Sequence, residues 1–196
     1  MTQAYHHGNL RSALLESAER SLALGGAQAL SLRELAREAG VSHAAPRRHF
    51  ADRQALLDAL AESGFTRLGA ELTEAIDGAG DDFADRVSAF AHAYVRFATE
   101  HAALLELMFA VKHHPDATPA LREAGDAAFV APLALIADGQ AAGEVVPGDP
   151  ARVATVAWAA LHGLAAMVNS GIIAGDDADP LVSEAVERIL FGLRPR

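Results

Sequence analysis

The sequence predicts an all-α protein. Apolar residues recur at steps of three and four through most of the 196 residues, no period-2 stretch with hairpin signals interrupts them, and glycine, proline and capping residues separate the periodic segments. Leu10, Ala13, Leu14, Ala18 and Leu22 form a first stripe, with Asn9 as its expected cap and Gly25-Gly26 as its stop. Ser31-Leu-Arg-Glu34 reads as a capping box opening a second helix, whose inner face is Leu32, Leu35, Ala36 and Ala39 and which ends at Gly40. Ser42 is the expected cap of a third short helix, with Ala45 or Pro46 and Phe50 inside. Pro46 is tolerable there because few amide bonds are lost in a first turn. Asp52 caps a fourth, longer helix through Leu56, Leu57, Leu60, Phe65 and Leu68, fading at Asp77-Gly-Ala-Gly80.

Beyond that glycine-rich break, Phe83, Val87, Phe90, Tyr94 and Phe97 give a helix with a wide aromatic face. A shorter helix with Leu104, Leu105, Met108 and Phe109 ends at His113-His114-Pro115. Residues 118–142 read as one helix kinked at Pro132. Asp149-Pro150, a cap followed by proline at the first helical position, starts a helix running to Gly171. Asp176-Asp177-Ala-Asp179-Pro180 opens the last, carrying Leu181, Ala185, Ile189, Leu190 and Leu193. The expected architecture is about nine helices in two domains, 1–57 and 58–196.

The absence of cysteine excludes a disulfide framework, a thiol nucleophile and thiolate metal sites. With no run of 18 uninterrupted apolar residues and no apolar signal core near the N-terminus, the chain reads as a cytoplasmic protein with no membrane partner. Its formal net charge is -10, yet the charge is unevenly divided. Residues 1–57 hold seven arginines against five acids, a net of +2, whereas residues 58–196 hold nine basic residues against twenty-one acids, a net of -12. A mildly basic head on an acidic body points to a polyanion partner for the head alone.

The densest cationic stretch of that head is GVSHAAPRRHF, residues 40–50. Two short helices joined by Gly40-Val41-Ser42 describe a helix-turn-helix, the bihelical unit that places its second helix in the DNA major groove. Gly40 supplies the left-handed turn residue, Val41 fills the angle between the helices, and the small Ala44 and Ala45 let the backbone approach base edges. Arg47, Arg48, His49 and Arg53 are placed to meet phosphates. Taken alone, a Gly-Val-Ser turn fits equally well a helical hairpin that merely packs.

The surrounding residues favour DNA binding. Residues 5–57, YHHGNLR...SLRELAREAGVSHAAPRRHFADRQALL, resemble the DNA-binding head of tetracycline-repressor (TetR) family regulators. WAALHGL, with Trp158, His162 and Gly163, resembles the branch of that family whose regulatory domain carries a Trp-His-Gly signature. The resemblance implies base contacts from His43, Ala44 and Ala45, and phosphate contacts from Arg47, His49, Arg53 and Ser31. With Ser42 and Arg48, these complete the candidate DNA-facing set. Where the family usually carries tyrosine in a Pro-Tyr-Arg-His-Phe run, this chain has Arg47. A forked cation grips phosphate or guanine, so Arg47 is expected to raise non-specific affinity.

The resemblance further implies a switch in which a small molecule, of unknown identity but hydrophobic, releases the head from double-stranded palindromic operator DNA. Candidate pocket residues are Phe90, Tyr94, Phe109, Phe129, Trp158 and His162. Trp158 and His162, four apart, share a helix face, although ordinary core packing accounts for such a face too. By the same resemblance the last two helices, lined by Val153, Val156, Ala157, Ala160, Leu164 and Met167, then Leu181, Ala185, Ile189 and Leu193, pair with their twofold mates in a homodimer.

An enzyme is the rival class. No Gly-rich phosphate loop, His-Glu-x-x-His or nucleophile elbow occurs. The adjacent pairs His6-His7 and His113-His114 point apart on a helix, and His92 and His101 fall on opposite sides, so no metal set forms. Neither catalysis nor a cofactor is expected. A sensor that binds metal or metabolite without touching DNA is the remaining alternative.

Overall fold

The computed structural model describes residues 7–194, among which no strand occurs. In chain order the helices are α1 (His7–Gly25), α2 (Leu32–Glu38), α3 (Arg53–Gly78), α4 (Phe83–Glu100), α5 (Ala102–Lys112), α6 (Pro119–Ala127), α7 (Val130–Ala141), α8 (Pro150–Asn169) and α9 (Ala178–Leu193). Short 3-10 turns stand at Ala27–Ala29, Pro46–Arg48 and Gly175–Asp177. The chain forms two compact units: residues up to 65 with 103–125, and residues 66–102 with 126 onward.

In the first unit, Leu14, Leu35, Phe50, Leu56, Leu60 and Phe65 are almost wholly buried, each contributing about 1.5–3 kcal/mol relative to exposure. The buried Ser17 hydroxyl on α1 donates to a Glu38 carboxylate oxygen on α2. Asp58, 3% exposed, is the buried carboxylate of this unit and has its partners: Oδ1 accepts from Gln54 Nε2 at 2.7 Å and Oδ2 from the Thr118 amide at 3.1 Å. Thr118 itself caps α6, its hydroxyl accepting from the Leu121 amide at 3.2 Å. A buried charge without such partners would be strongly destabilising.

Several sequence expectations hold. Asp52 caps α3 by accepting from the Ala55 amide at 2.8 Å, and Asp149 caps α8 by accepting from the Ala151 amide at 3.0 Å, with Pro150 in the first turn. Gly40 has φ 65°, the left-handed conformation that a side chain would strain. Others fail. α1 already includes Asn9, so Asn9 is not its cap. The capping box does not close: Ser31 is the N-cap of α2 without a side-chain cap bond, because Glu34 accepts instead from Arg37 at 2.9 and 2.6 Å.

The third element of the head is a turn followed by the 3-10 segment Pro46–Arg48, not an α-helix capped by Ser42. In an α-helix starting at Ser42, the residue 46 amide would be the one to bond the Ser42 carbonyl. Proline has no such donor and its ring crowds that carbonyl. The Ala45 amide takes it instead, at 2.9 Å, one residue early, and the tight winding continues as Arg48 N–H bonds Ala45 O at 3.2 Å.

The second unit packs α4 against α8 and α9, and α7 against α8. The expected aromatic face is inward: Phe83, Val87, Phe90, Tyr94 and Phe97 are all buried. The segment over 118–142 is two helices parted at Ala128–Phe129, and Pro132 lies within the first turn of α7, where it breaks nothing. Gly139 on α7 admits close neighbours: a Cβ there would stand 2.7 Å from Phe83 Cε2 and 2.8 Å from Val145 Cγ2. Gly139→Ala is therefore expected to lower stability by about 1–3 kcal/mol through overpacking. A thermal midpoint equal to that of the native chain would show that the helix shifts without cost.

Candidate nucleic-acid interface and aromatic cluster

At the tip of the head, Ser42, His43 and Ala44 are exposed and Ala45 is half-buried. Pro46 and Phe50 are buried and anchor the turn from beneath, and the Arg11 guanidinium lies 5.7 Å over the Phe50 ring, a cation–π contact. Arg47 and Arg48 project from the 3-10 segment and are exposed. His49 is half-buried, its ring 6.4 Å from that of Phe50. Exposed guanidiniums beside small residues are what phosphate positioning and close backbone approach require. Not every nearby arginine is available in this way. The guanidinium of Arg37 sits on the Glu34 carboxylate, which favours its charged form and raises its pKa above the ordinary value. Arg53 donates from Nε to Leu30 O at 3.1 Å and from Nη2 to Ala27 O at 2.5 Å. Neither this tether nor the cation on Phe50 was legible in the sequence, because the tether's acceptors are backbone carbonyls, which every residue carries.

In the second unit, α4, α7 and α8 bring five of the six candidate effector residues together. Tyr94 is fully buried, and its hydroxyl shares a hydrogen bond with His162 Nδ1 at 2.8 Å. Trp158 stands edge-on to Tyr94 at 6.3 Å and to Phe129 at 6.0 Å, and lies 5.0 Å from the His162 ring. Phe90 stacks on Tyr94 at 6.2 Å. Such offset and edge-on pairs each add about 0.5–1.5 kcal/mol beyond area burial. Burial pushes the Tyr94 phenol well above its ordinary pKa, with a hydrogen-bonding contribution from Trp158 in the opposite sense. The hydroxyl therefore keeps its proton. Phe109 belongs to the first unit, where its ring meets Phe65 edge-on at 5.7 Å.

Tyr94→Phe removes the bond to His162 while keeping the ring. It is expected to cost about 1–1.5 kcal/mol of stability, read as a lower denaturation midpoint at unchanged denaturant sensitivity. An equal or higher midpoint would mean the hydroxyl is merely tolerated.

Histidines elsewhere do not converge. His114 Nδ1 lies 3.8 Å from the Asp116 carboxylate, His92 bonds the Ser88 carbonyl at 2.8 Å and approaches the Ser183 hydroxyl at 3.3 Å, and His6 lies outside the described residues. No group of three or more metal-ligating side chains occurs among the described residues. Among the described residues one helix, α8, is long and apolar enough to cross a membrane by length and composition, with mean hydropathy 1.4, and 11% of that stretch is buried. Val156 on it is 74% exposed, as are Ile172 (71%) just beyond it and Phe191 (80%) on α9.

An all-helical chain whose helix-turn-helix presents unshielded arginines and small residues at its tip is, by class, a DNA-binding transcriptional regulator. Comparison with known proteins agrees. Residues 14–60 match the family described as bacterial regulatory proteins, tetR family, and residues 87–189 match the tetracyclin repressor-like C-terminal domain. The chain belongs to the TetR family. Among solved structures it is similar, at 48% identity and a TM-score of 0.92, to a protein of unknown function from Rhodococcus sp. RHA1, over 99% of this chain and 100% of that one. A TetR family transcription regulator from Marinobacter aquaeolei VT8 shares the fold at 20% identity and a TM-score of 0.78, over 96% and 97% of the two chains. So does the TetR family regulator PfmR from Thermus thermophilus, at 21% identity and a TM-score of 0.67, over 93% and 99%. No curated protein matches the chain.

Proposed function

We propose that this regulator is a ligand-responsive repressor: a cytoplasmic homodimer that holds a palindromic operator and lets it go when a small hydrophobic effector binds. The DNA contacts fall in residues 1–57, from Ser31, Ser42, His43, Ala44, Ala45, Arg47, Arg48 and His49. The effector and the twofold contacts belong to residues 58–196. The effector meets Phe90, Tyr94, Phe129, Trp158 and His162, in a regulatory domain of the Trp-His-Gly type. α8 and α9 pair with their mates.

The observation that carries this reading is the placement of the aromatic cluster on α8. That helix offers Trp158 and His162 to the rings of α4 and α7 while only 11% of its apolar stretch is buried within one chain. A guest that displaced these rings would move the helix on which the two protomers meet, and differential affinity for the two arrangements is the energetic requirement of such a switch. Apolar surface of this extent is normally covered by a partner, and a second copy satisfies the symmetry of a palindrome.

The test is fluorescence anisotropy of the purified protein on labelled fragments of its own upstream DNA, across a salt series, followed by a screen of hydrophobic compounds for release. Tight, sequence-selective binding reversed by a compound supports the reading. Absence of salt-dependent DNA affinity would instead make the protein a sensor that does not touch DNA.

A further inference from the structure

We propose that Arg53 is a positioning residue for DNA binding, not a phosphate contact: it holds the turn between α1 and α2 and thereby sets where α2 begins. The proposal rests on reading the head as the DNA reader. Arg53 is the first residue of α3, and its base is fixed, because Asp52 caps that helix through the Ala55 amide at 2.8 Å. From there the guanidinium reaches back 26 and 23 residues to the carbonyls of Ala27 and Leu30, at 2.5 and 3.1 Å. Ala27 opens the 3-10 turn Ala27–Ala29 and Leu30 closes it, the Leu30 amide bonding the Ala27 carbonyl at 3.2 Å, so the guanidinium grips both ends of the turn.

What the tether fixes is the next step of the chain. Leu30 is 2% exposed, so its side chain anchors one face of the turn while Arg53 holds its carbonyl. Ser31 follows in extended conformation as the N-cap of α2, and its carbonyl receives the first helical bond, from the Leu35 amide at 3.0 Å. Since Ser31 makes no capping bond with its own side chain, the start of α2 is held from outside, by Arg53. The planar fork of arginine can meet two carbonyls at once, whereas a lysine ammonium is a point charge that cannot span them. Arg47 and Arg48, by contrast, have no such bond among the described residues.

The decisive variants are Arg53→Lys and Arg53→Gln in the full chain. Each is studied by anisotropy on upstream DNA across a salt series and, without DNA, by amide hydrogen exchange. A positioning role predicts that both weaken binding alike, by about tenfold, and that both speed exchange over residues 27–35 while leaving α4 and α8–α9 unchanged. That localised exchange is what a general loss of stability would not produce. If lysine binds as the native chain does while glutamine flattens the salt slope by about 0.9, the contribution of one phosphate, Arg53 is a phosphate contact and the proposal is wrong. Unchanged exchange over residues 27–35 in both variants overturns it as well. Should the native chain bind no DNA at all, the reading of the head as a DNA reader fails, and the exchange measurement alone then decides whether the tether orders α2.

Discussion

Val156→Glu is expected to turn the proposed homodimer into a folded monomer. Val156 is 74% exposed within one chain, on a helix of mean hydropathy 1.4 that is 11% buried, and the proposed pairing of α8 with its mate would bring the two Val156 side chains into the twofold contact. Two ionised carboxylates would then have to leave water and face one another. A desolvated charge without a partner costs several kcal/mol, so dimer dissociation is expected to strengthen by about a thousandfold or more. Within a monomer the same side chain points to solvent and costs little, which keeps the fold out of the result. Sedimentation velocity should show one species of half the native mass with an unchanged helical circular dichroism signal. Operator affinity should fall in step, since two heads no longer share one binding event and lose the effective concentration that linkage supplies. A variant that stays dimeric would place the twofold contact away from Val156. A native chain that is already monomeric would mean that something other than a second copy covers α8.

Arg47→Ala with Arg48→Ala should nearly abolish non-specific DNA binding. Each guanidinium that neutralises a phosphate contributes about 0.9 to the slope of log affinity against log salt concentration, so the pair is expected to flatten it by about 1.8. Because the two residues sit on the exposed 3-10 segment, their loss leaves Pro46 and Phe50 in place beneath and should not shift the thermal midpoint. Arg47→Tyr separates their roles. Tyrosine keeps a hydroxyl for one phosphate oxygen but drops the cation, so the slope should fall by about half as much while selectivity among upstream fragments rises. A steeper slope in Arg47→Tyr would mean that Arg47 opposes DNA contact instead of supplying it.

Which of these features the sequence disclosed follows from which atoms carry them. Caps such as Asp52 and Asp149 are local: donor and acceptor lie two or three residues apart, and residue type names the acceptor. The inward face of α4 was equally readable, since periodicity depends on side chains alone. The capping box at Ser31 failed although both residues were present, because Glu34 had a second suitor in Arg37, one helical turn away. The third element of the head departs from an α-helix for a chemical reason that Pro46 carries: it occupies the position whose amide would first be required, and the backbone tightens to compensate. For the effector candidates, spacing put Trp158 and His162 on one face, whereas Phe109 lies in the first unit, a separation that depends on how the chain divides between units and not on any local pattern.

The link from Asp58 to the Thr118 amide bears on how such regulators exchange parts. Every proposed DNA contact lies within residues 1–57, which suggests a reading head that could be swapped as a cassette between relatives. Yet the compact unit that includes that head is discontinuous, drawing in residues 103–125, and Asp58, which accepts from Gln54, also accepts from the Thr118 amide, 60 residues away. A chimaera joined between residues 58 and 118 takes the carboxylate from one parent and the placement of the backbone amide that answers it from the other. Exchanges that carry residues 58 and 118 together are therefore expected to fold more stably than joins placed between them.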